Sequence, residues 1–140
     1  MSEKGRIRLQ VVTPREAAFD GEVDSVNVPG LIGEFGVLPL HQPMLAATKP
    51  GVLYTRSEGR EEVFVIGPGF AEVEHDQVVI LTDRCEKGSA IDPDEARKGF
   101  EALEAKYKSF SGDTTGSEFV ELEREYQWAV AALDASRRSR

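Results

Sequence analysis

The chain has 140 residues, 40% of them hydrophobic and 30% charged; this holds one ordinary domain or a small domain with an appendage, and apolar residues in every stretch exclude wholesale disorder. Its net charge of −8 excludes a general nucleic-acid binder, which needs a surplus of Lys and Arg to neutralise phosphates. A single cysteine, Cys85, excludes a disulfide framework within the chain and fits a reducing compartment.

No apolar run approaches the ~18 residues of a membrane span. No signal-peptide core follows Met1-Ser2-Glu3-Lys4, so the expected place is inside the cell, without membrane insertion. Charge is unevenly spread. Residues 1–86 carry 8 basic and 14 acidic side chains, while residues 87–140 carry 9 and 11 and end in a basic tip at Arg137, Arg138 and Arg140.

The first half reads with period two. Ile7, Leu9 and Val11 alternate with Arg8 and Gln10 up to Thr13-Pro14, the pattern of a half-buried strand. Val26 and Val28 alternate with Ser25 and Asn27 up to Pro29-Gly30. Residues 52–56 and 62–66 flank Ser57-Glu58-Gly59-Arg60, a hairpin signal. Residues 70–74 and 78–82 flank His75-Asp76-Gln77, a second one. Short strands with turns every ~8–12 residues predict an antiparallel sandwich or barrel.

The second half changes period. Asp92-Pro93-Asp94-Glu95 starts a helix: Asp92 accepts from free backbone N–H groups, Pro93 suits the first helical position, and Glu95 stands where a capping-box acid belongs. Ala96, Phe100, Leu103, Tyr107 and Phe110 recur at helical spacing as one apolar stripe. Ser111-Gly112-Asp113 breaks it, and Thr115 with Glu118 offers a second capping box. Phe119, Leu122, Tyr126, Ala129 and Leu133 form a second stripe. Two narrow stripes joined by a short polar loop predict a helical hairpin that buries one seam and leans on the first domain or on a partner. Gly99 inside the first helix weakens it by roughly 1 kcal/mol relative to Ala. Trp128 is expected to pack against the first helix, or to anchor another protein.

Residues with reactive chemistry do not assemble into a motif. Gly30, Gly33 and Gly36 lead into Val37-Leu38-Pro39 with no Lys-Ser/Thr after them, unlike a phosphate loop; their expected use is tight turns. His41 and His75 stand far apart, at no metal-ligand spacing, and no Gly-x-Ser-x-Gly elbow occurs. No catalytic, cofactor or metal site is expected. A ligand-binding sandwich and a small enzyme using His41 are the other classes these residues leave open.

The order of motifs is specific. Leu9-Gln10-Val11-Val12-Thr13-Pro14 and Phe19-Asp20-Gly21-Glu22-Val23 precede GEFGVLPLHQP at residues 33–43, then Lys49-Pro50-Gly51-Val52, Gly67-Pro68-Gly69-Phe70-Ala71-Glu72-Val73 and Val78-Val79-Ile80-Leu81-Thr82-Asp83. This series resembles the epsilon subunit of bacterial F-type ATP synthases, equivalent to the mitochondrial delta subunit, over nearly the whole chain. The helical half matches in layout more than in residues.

The resemblance implies an α+β architecture: an antiparallel β-sandwich of about ten short strands at residues 1–86, then a C-terminal α-helical hairpin at residues 87–140. It implies a non-catalytic central-stalk subunit, peripheral on the cytoplasmic face of the plasma membrane, whose sandwich binds the gamma subunit and the c-ring and couples proton flow to rotation. The helices would lie folded on the sandwich or extend along gamma toward the beta and alpha subunits, inhibiting ATP hydrolysis. Carried over by position, Glu34 and His41 fall at the gamma and c-ring interface. Ile32 stands where an acid is often found, Leu40 and Gln42 replace the Gly and Ala of Pro-Gly-His-Ala-Pro, and Pro68 replaces a Gly. Some bacterial members bind ATP through Ile/Leu-Asp-x-x-Arg-Ala. Here the motif is degenerate: Ile91, Asp92 and Ala96 remain, but Glu95 occupies the Arg position, and an acid repels phosphate. Weak or absent ATP binding is therefore expected. Basic residues of the family's hairpin meet an acidic loop of the beta subunits; the candidates here are Arg97, Lys98, Lys106, Lys108, Arg124, Arg137 and Arg138, with the terminal arginines foremost.

Overall fold

The computed structural model describes residues 5–139. Ten strands precede two helices: β1 (Ile7–Val12), β2 (Ala17–Val23), β3 (Ser25–Pro29), β4 (Glu34–Val37), β5 (Met44–Thr48), β6 (Gly51–Ser57), β7 (Arg60–Ile66), β8 (Gly69–Glu74), β9 (Gln77–Thr82), β10 (Cys85–Lys87), α1 (Pro93–Lys108) and α2 (Ser117–Arg138). They form two five-stranded sheets, in the orders β2-β1-β9-β8-β5 and β10-β7-β6-β3-β4. Pairing is antiparallel except between β1 and β9, which run parallel from Arg8↔Gln77 to Val12↔Leu81.

Period-two alternation builds the core between the sheets. Ile7, Leu9 and Val11 point inward from β1, with Ala71 and Val73 from β8 and Val78 and Ile80 from β9. Val26, Val28, Val37, Leu53, Phe64 and Ile66 meet them from the second sheet. At the margin Phe19 packs edge-on to Phe64, with centroids 5.3 Å apart. The β6–β7 hairpin closes on two residues, Glu58 and Gly59, with φ of 52° and 81°. Positive φ at both central positions matches strand twist and favours a glycine.

The two outer faces differ. Strand β7 is buried on both sides: Phe64 and Ile66 face the sandwich interior, while Val63 and Val65 join Trp128, Ala131, Ala132 and Ala135 of α2 in a second cluster. This accounts for the unbroken run Val63-Phe64-Val65-Ile66, which single-sided burial would have interrupted with polar residues. The outer face of the first sheet has no such cover, and Leu45, Phe70 and Leu81 are 69%, 53% and 50% exposed there.

The hairpin forms as its stripes require. Asp92 accepts from the Asp94 backbone N–H at 2.9 Å, and Pro93 occupies the first turn of α1. Phe100, Tyr107, Phe119 and Tyr126 stack along the seam, closest at the Tyr107–Tyr126 pair with centroids 4.6 Å apart. Two expectations are corrected. The Thr115–Glu118 capping box does not form: Thr115 bonds the Asp113 carboxylate through its backbone N–H (2.8 Å) and hydroxyl (2.7 Å), and Gly116 caps α2 without a side chain. Trp128 does not pack mainly on α1. It is buried against the second sheet and lies under Arg84, whose guanidinium is 3.6 Å from the ring centroid.

Candidate functional site

Three surfaces carry the candidate residues. The first is the pair of loops around β4. Pro29-Gly30 turns the chain out of β3, and the Leu31 N–H donates to Ala47 of β5 at 2.8 Å. This pins a short apolar tip on which Leu31 is 62% exposed and Ile32 fully so. Glu34 follows, exposed, opening β4 opposite Pro29. Beyond β4 the chain passes Leu38 and Leu40, both exposed. The His41 N–H then donates to the carbonyl of His75 at 3.0 Å, tying this loop to the β8–β9 turn. His41 Nδ1 lies 2.7 Å from the carbonyl oxygen of Gln42, so Nδ1 carries a proton and donates it there. Glu34 and His41 thus belong to opposite ends of β4 and do not converge on one site. A groove of about 380 Å³ runs from Gly30 and Leu31 to Met44 and Ala47 beside the first tip.

The second surface is the open face of the first sheet. Strand register aligns Ala47, Phe70, Leu81 and Val12 in one row across β5, β8, β9 and β1. The adjacent row is Leu45, Glu72, Val79 and Gln10. The first row is apolar throughout, while the second sets Leu45 and Val79 beside polar Glu72 and Gln10; exposed apolar surface of this kind is suited to contact with another macromolecule.

The third surface is the helical hairpin. Its basic residues do not gather. On α1, Arg97, Lys98, Lys106 and Lys108 spread over roughly half the helix circumference opposite the apolar stripe. Arg97 lies 3.9 Å from Asp94 and Lys108 lies 3.7 Å from Glu104, exposed pairs of small energetic weight. Arg124 and Arg137 are exposed. Arg138 instead reaches the sandwich: its guanidinium stands 4.3 Å from the Tyr54 ring centroid and 3.3 Å from Glu61. The residues of the degenerate nucleotide motif are used structurally. Ile91 is buried in the second cluster and Ala96 packs against it, Asp92 caps α1, and Glu95 is exposed.

Among the described residues no group of three or more His, Cys, Asp or Glu is placed to hold a metal, and no helix is long and apolar enough to cross a membrane. Cys85 is partly buried, and burial first, then Glu86, pushes its thiol up to about 11. It stays protonated at neutral pH and is a poor nucleophile.

Residue reading missed the alanine face of α2 and its two arginine contacts. The run Trp128-Ala129-Val130-Ala131-Ala132 and Ala135-Ser136 held the signal: Trp128 is followed at i+3, i+4 and i+7 by alanines, which let the helix approach a sheet closely.

Residues 6–88 match the family described as ATP synthase, Delta/Epsilon chain, beta-sandwich domain. The chain is 33% identical over 131 residues to the ATP synthase epsilon chain of Synechococcus sp. (strain RCC307), covering 94% of this chain and 97% of that one. It is 41% identical over 107 residues to the ATP synthase epsilon chain of Alkalihalophilus pseudofirmus, covering 76% of this chain and 80% of that one. Its fold is similar to a chain in the Euglena gracilis mitochondrial ATP synthase OSCP/F1/c-ring structure, with TM-score 0.78, 24% identity, and 97% of this chain and 84% of that chain covered. It is also similar in fold to a chain of the Tetrahymena thermophila mitochondrial ATP synthase central stalk/c-ring structure, with TM-score 0.63, 15% identity, and 94% and 99% covered. With a matching sandwich and near full-length relatives on both measures, the chain belongs to the family of ATP synthase epsilon chains.

Proposed function

We propose that this chain is a non-catalytic rotor subunit in the central stalk of an F-type ATP synthase, peripheral on the cytoplasmic face of a bacterial plasma membrane. It divides into residues 1–86, a sandwich seated on gamma and the c-ring, and residues 87–140, a hairpin that acts as a movable brake on ATP hydrolysis. The sandwich passes proton-driven rotation between ring and stalk, and the chemistry belongs to other subunits. One observation carries this reading: the second sheet is covered by a helix whose buried residues are small apart from Trp128, while the first sheet keeps an open apolar band. The covered face suits an element that leaves; the open face suits a permanent partner.

In this assignment gamma lies on the band of Leu45, Phe70 and Leu81, and the tip of Leu31, Ile32 and Glu34 meets the polar loops of the c-ring. His41 stiffens the opposite loop against the β8–β9 turn. The exposed bases Arg97, Lys98, Lys106, Lys108, Arg124 and Arg137, with Arg138 once freed, face the beta subunits when the hairpin extends. No nucleotide site is assigned to Ile91-Asp92-Pro93-Asp94-Glu95-Ala96, because two of its side chains are taken up in packing and Glu95 is anionic.

Binding to gamma tests the assignment. Phe70→Glu with Leu81→Glu in the full-length chain places two charges where an apolar partner would sit, and affinity for gamma falls by about thirtyfold or more. An affinity equal to that of the unaltered chain overturns the placement.

A further inference from the structure

Two arginines cross the junction between α2 and the second sheet in opposite directions. Arg84, two residues past the end of β9, lays its guanidinium 3.6 Å from the centre of the Trp128 ring on α2. It also stands 3.5 Å from Glu125, one turn earlier on the same helix. Arg138, the last residue of α2, lays its guanidinium 4.3 Å from the centre of the Tyr54 ring on β6. It also stands 3.3 Å from Glu61 on β7, a carboxylate shared with Arg56 at 3.4 Å. Each contact is an arginine–aromatic stack backed by an ion pair, one given by the sheet to the helix and one by the helix to the sheet. Ten residues separate Trp128 from Arg138, about 15 Å along the helix.

Between these two points the helix meets the sheet through Ala131, Ala132 and Ala135, which bury little apolar area each. The two stacks add a polar anchor at each end of this contact, beside the buried body of Trp128. We infer that Arg84 and Arg138 form a reciprocal clasp that sets how often the hairpin leaves the sandwich, and that Arg138 is withheld from any partner subunit while the clasp is closed. This rests on the reading of the hairpin as movable. Both clasp ion pairs reach water: the Arg84, Glu125, Arg138 and Glu61 side chains are 42%, 57%, 31% and 27% exposed. Salt therefore weakens the clasp, and ionic strength grades release.

Trp128 is the sole tryptophan of the chain, so its fluorescence reports the state of α2 without labelling. The experiment is acrylamide quenching of Trp128 in the full-length chain, with Arg138→Ala and Tyr54→Leu as variants. Arg138 lies about 15 Å along the helix from Trp128, so a signal from its variant reports release of the helix; Tyr54 packs against the cluster that holds Trp128, so its variant counts only where it agrees with Arg138→Ala. Each variant is expected to raise the quenchable fraction about fivefold, and added salt is expected to bring the unaltered chain toward the variants. Trp128 remaining as shielded in both variants as in the unaltered chain overturns the clasp. A clasp that opens as described in a chain that never inhibits ATP hydrolysis leaves the clasp standing and removes the brake. Inhibition relieved by loss of the hairpin, with quenching unmoved by either variant, removes the clasp and leaves the brake.

Discussion

Leu40 carries a φ of +66° while 77% exposed to solvent. The left-handed region brings an L-residue's Cβ close to its following carbonyl at a cost of roughly 1–2 kcal/mol, and no burial of Leu40 offsets it. Its departure from the glycine of the Pro-Gly-His-Ala-Pro pattern was legible in the sequence; the strain was not, because leucine by itself says nothing of the sign of φ. Leu40→Gly is expected to stabilise the chain by about 0.5–1 kcal/mol, the released strain being partly offset by the greater freedom of glycine when unfolded. Urea denaturation reads this, and a loss of stability would contradict it. Cys85 supplies a second prediction at this scale. Its thiol is held up to about 11 in the folded chain against about 8.5 in an unfolded one. The folded chain keeps the proton longer, so the stability this contributes is complete below about pH 8.5 and is lost as pH rises toward about 11. The thermal midpoint of the unaltered chain should fall more steeply across that interval than that of Cys85→Ala. Equal slopes would show that the thiol is not shielded.

Local signals decided which elements could be read. The start of α1 was legible because Asp92 and Pro93 act on their immediate neighbours. Asp92→Ala is expected to cost about 1 kcal/mol of helix stability. Since α1 itself buries no residue fully, hydrogen exchange should quicken across α1 and leave the sandwich strands unchanged. Faster exchange in β1 and β9 as well would mean that the hairpin and the sandwich unfold together. The capping box expected at the start of α2 does not form because Asp113, two residues away, accepts from both the backbone N–H and the hydroxyl of Thr115. The docking face of α2 lies outside its apolar stripe: Phe119, Leu122, Tyr126, Ala129 and Leu133 mark that stripe, whereas the sheet is met by Trp128, Ala131, Ala132 and Ala135. Gly88 belongs to the same contact. A Cβ there would lie 2.8 Å from the Ala135 carbonyl oxygen, so Gly88→Ala should push α2 off the sheet and raise Trp128 quenching. Unchanged quenching would show that the chain around Gly88 gives way instead.

At the scale of the molecule, alternation and turn spacing pointed to a sandwich or a barrel and the resemblance to the sandwich, but the order of its strands followed from neither. The parallel pairing of β1 with β9 joins segments some 70 residues apart, and no local pattern encodes such a partner. Glu34 and His41, which the resemblance carries to the gamma and c-ring interface, stand at opposite ends of β4, Glu34 opening the strand and His41 on the loop beyond it. No catalytic motif stands in the sequence, and the chain belongs to a family of ATP synthase subunits. What geometry adds is the contrast between faces: one apolar and open, the other covered by a helix tied down at two arginines. ATP hydrolysis by the catalytic head, reconstituted with gamma and this chain, tests the division most directly. The full-length chain should lower the hydrolysis rate, and truncation after Lys87 should restore it while binding to gamma persists. A truncated chain that inhibits as fully as the intact one would contradict the hairpin's role as the brake.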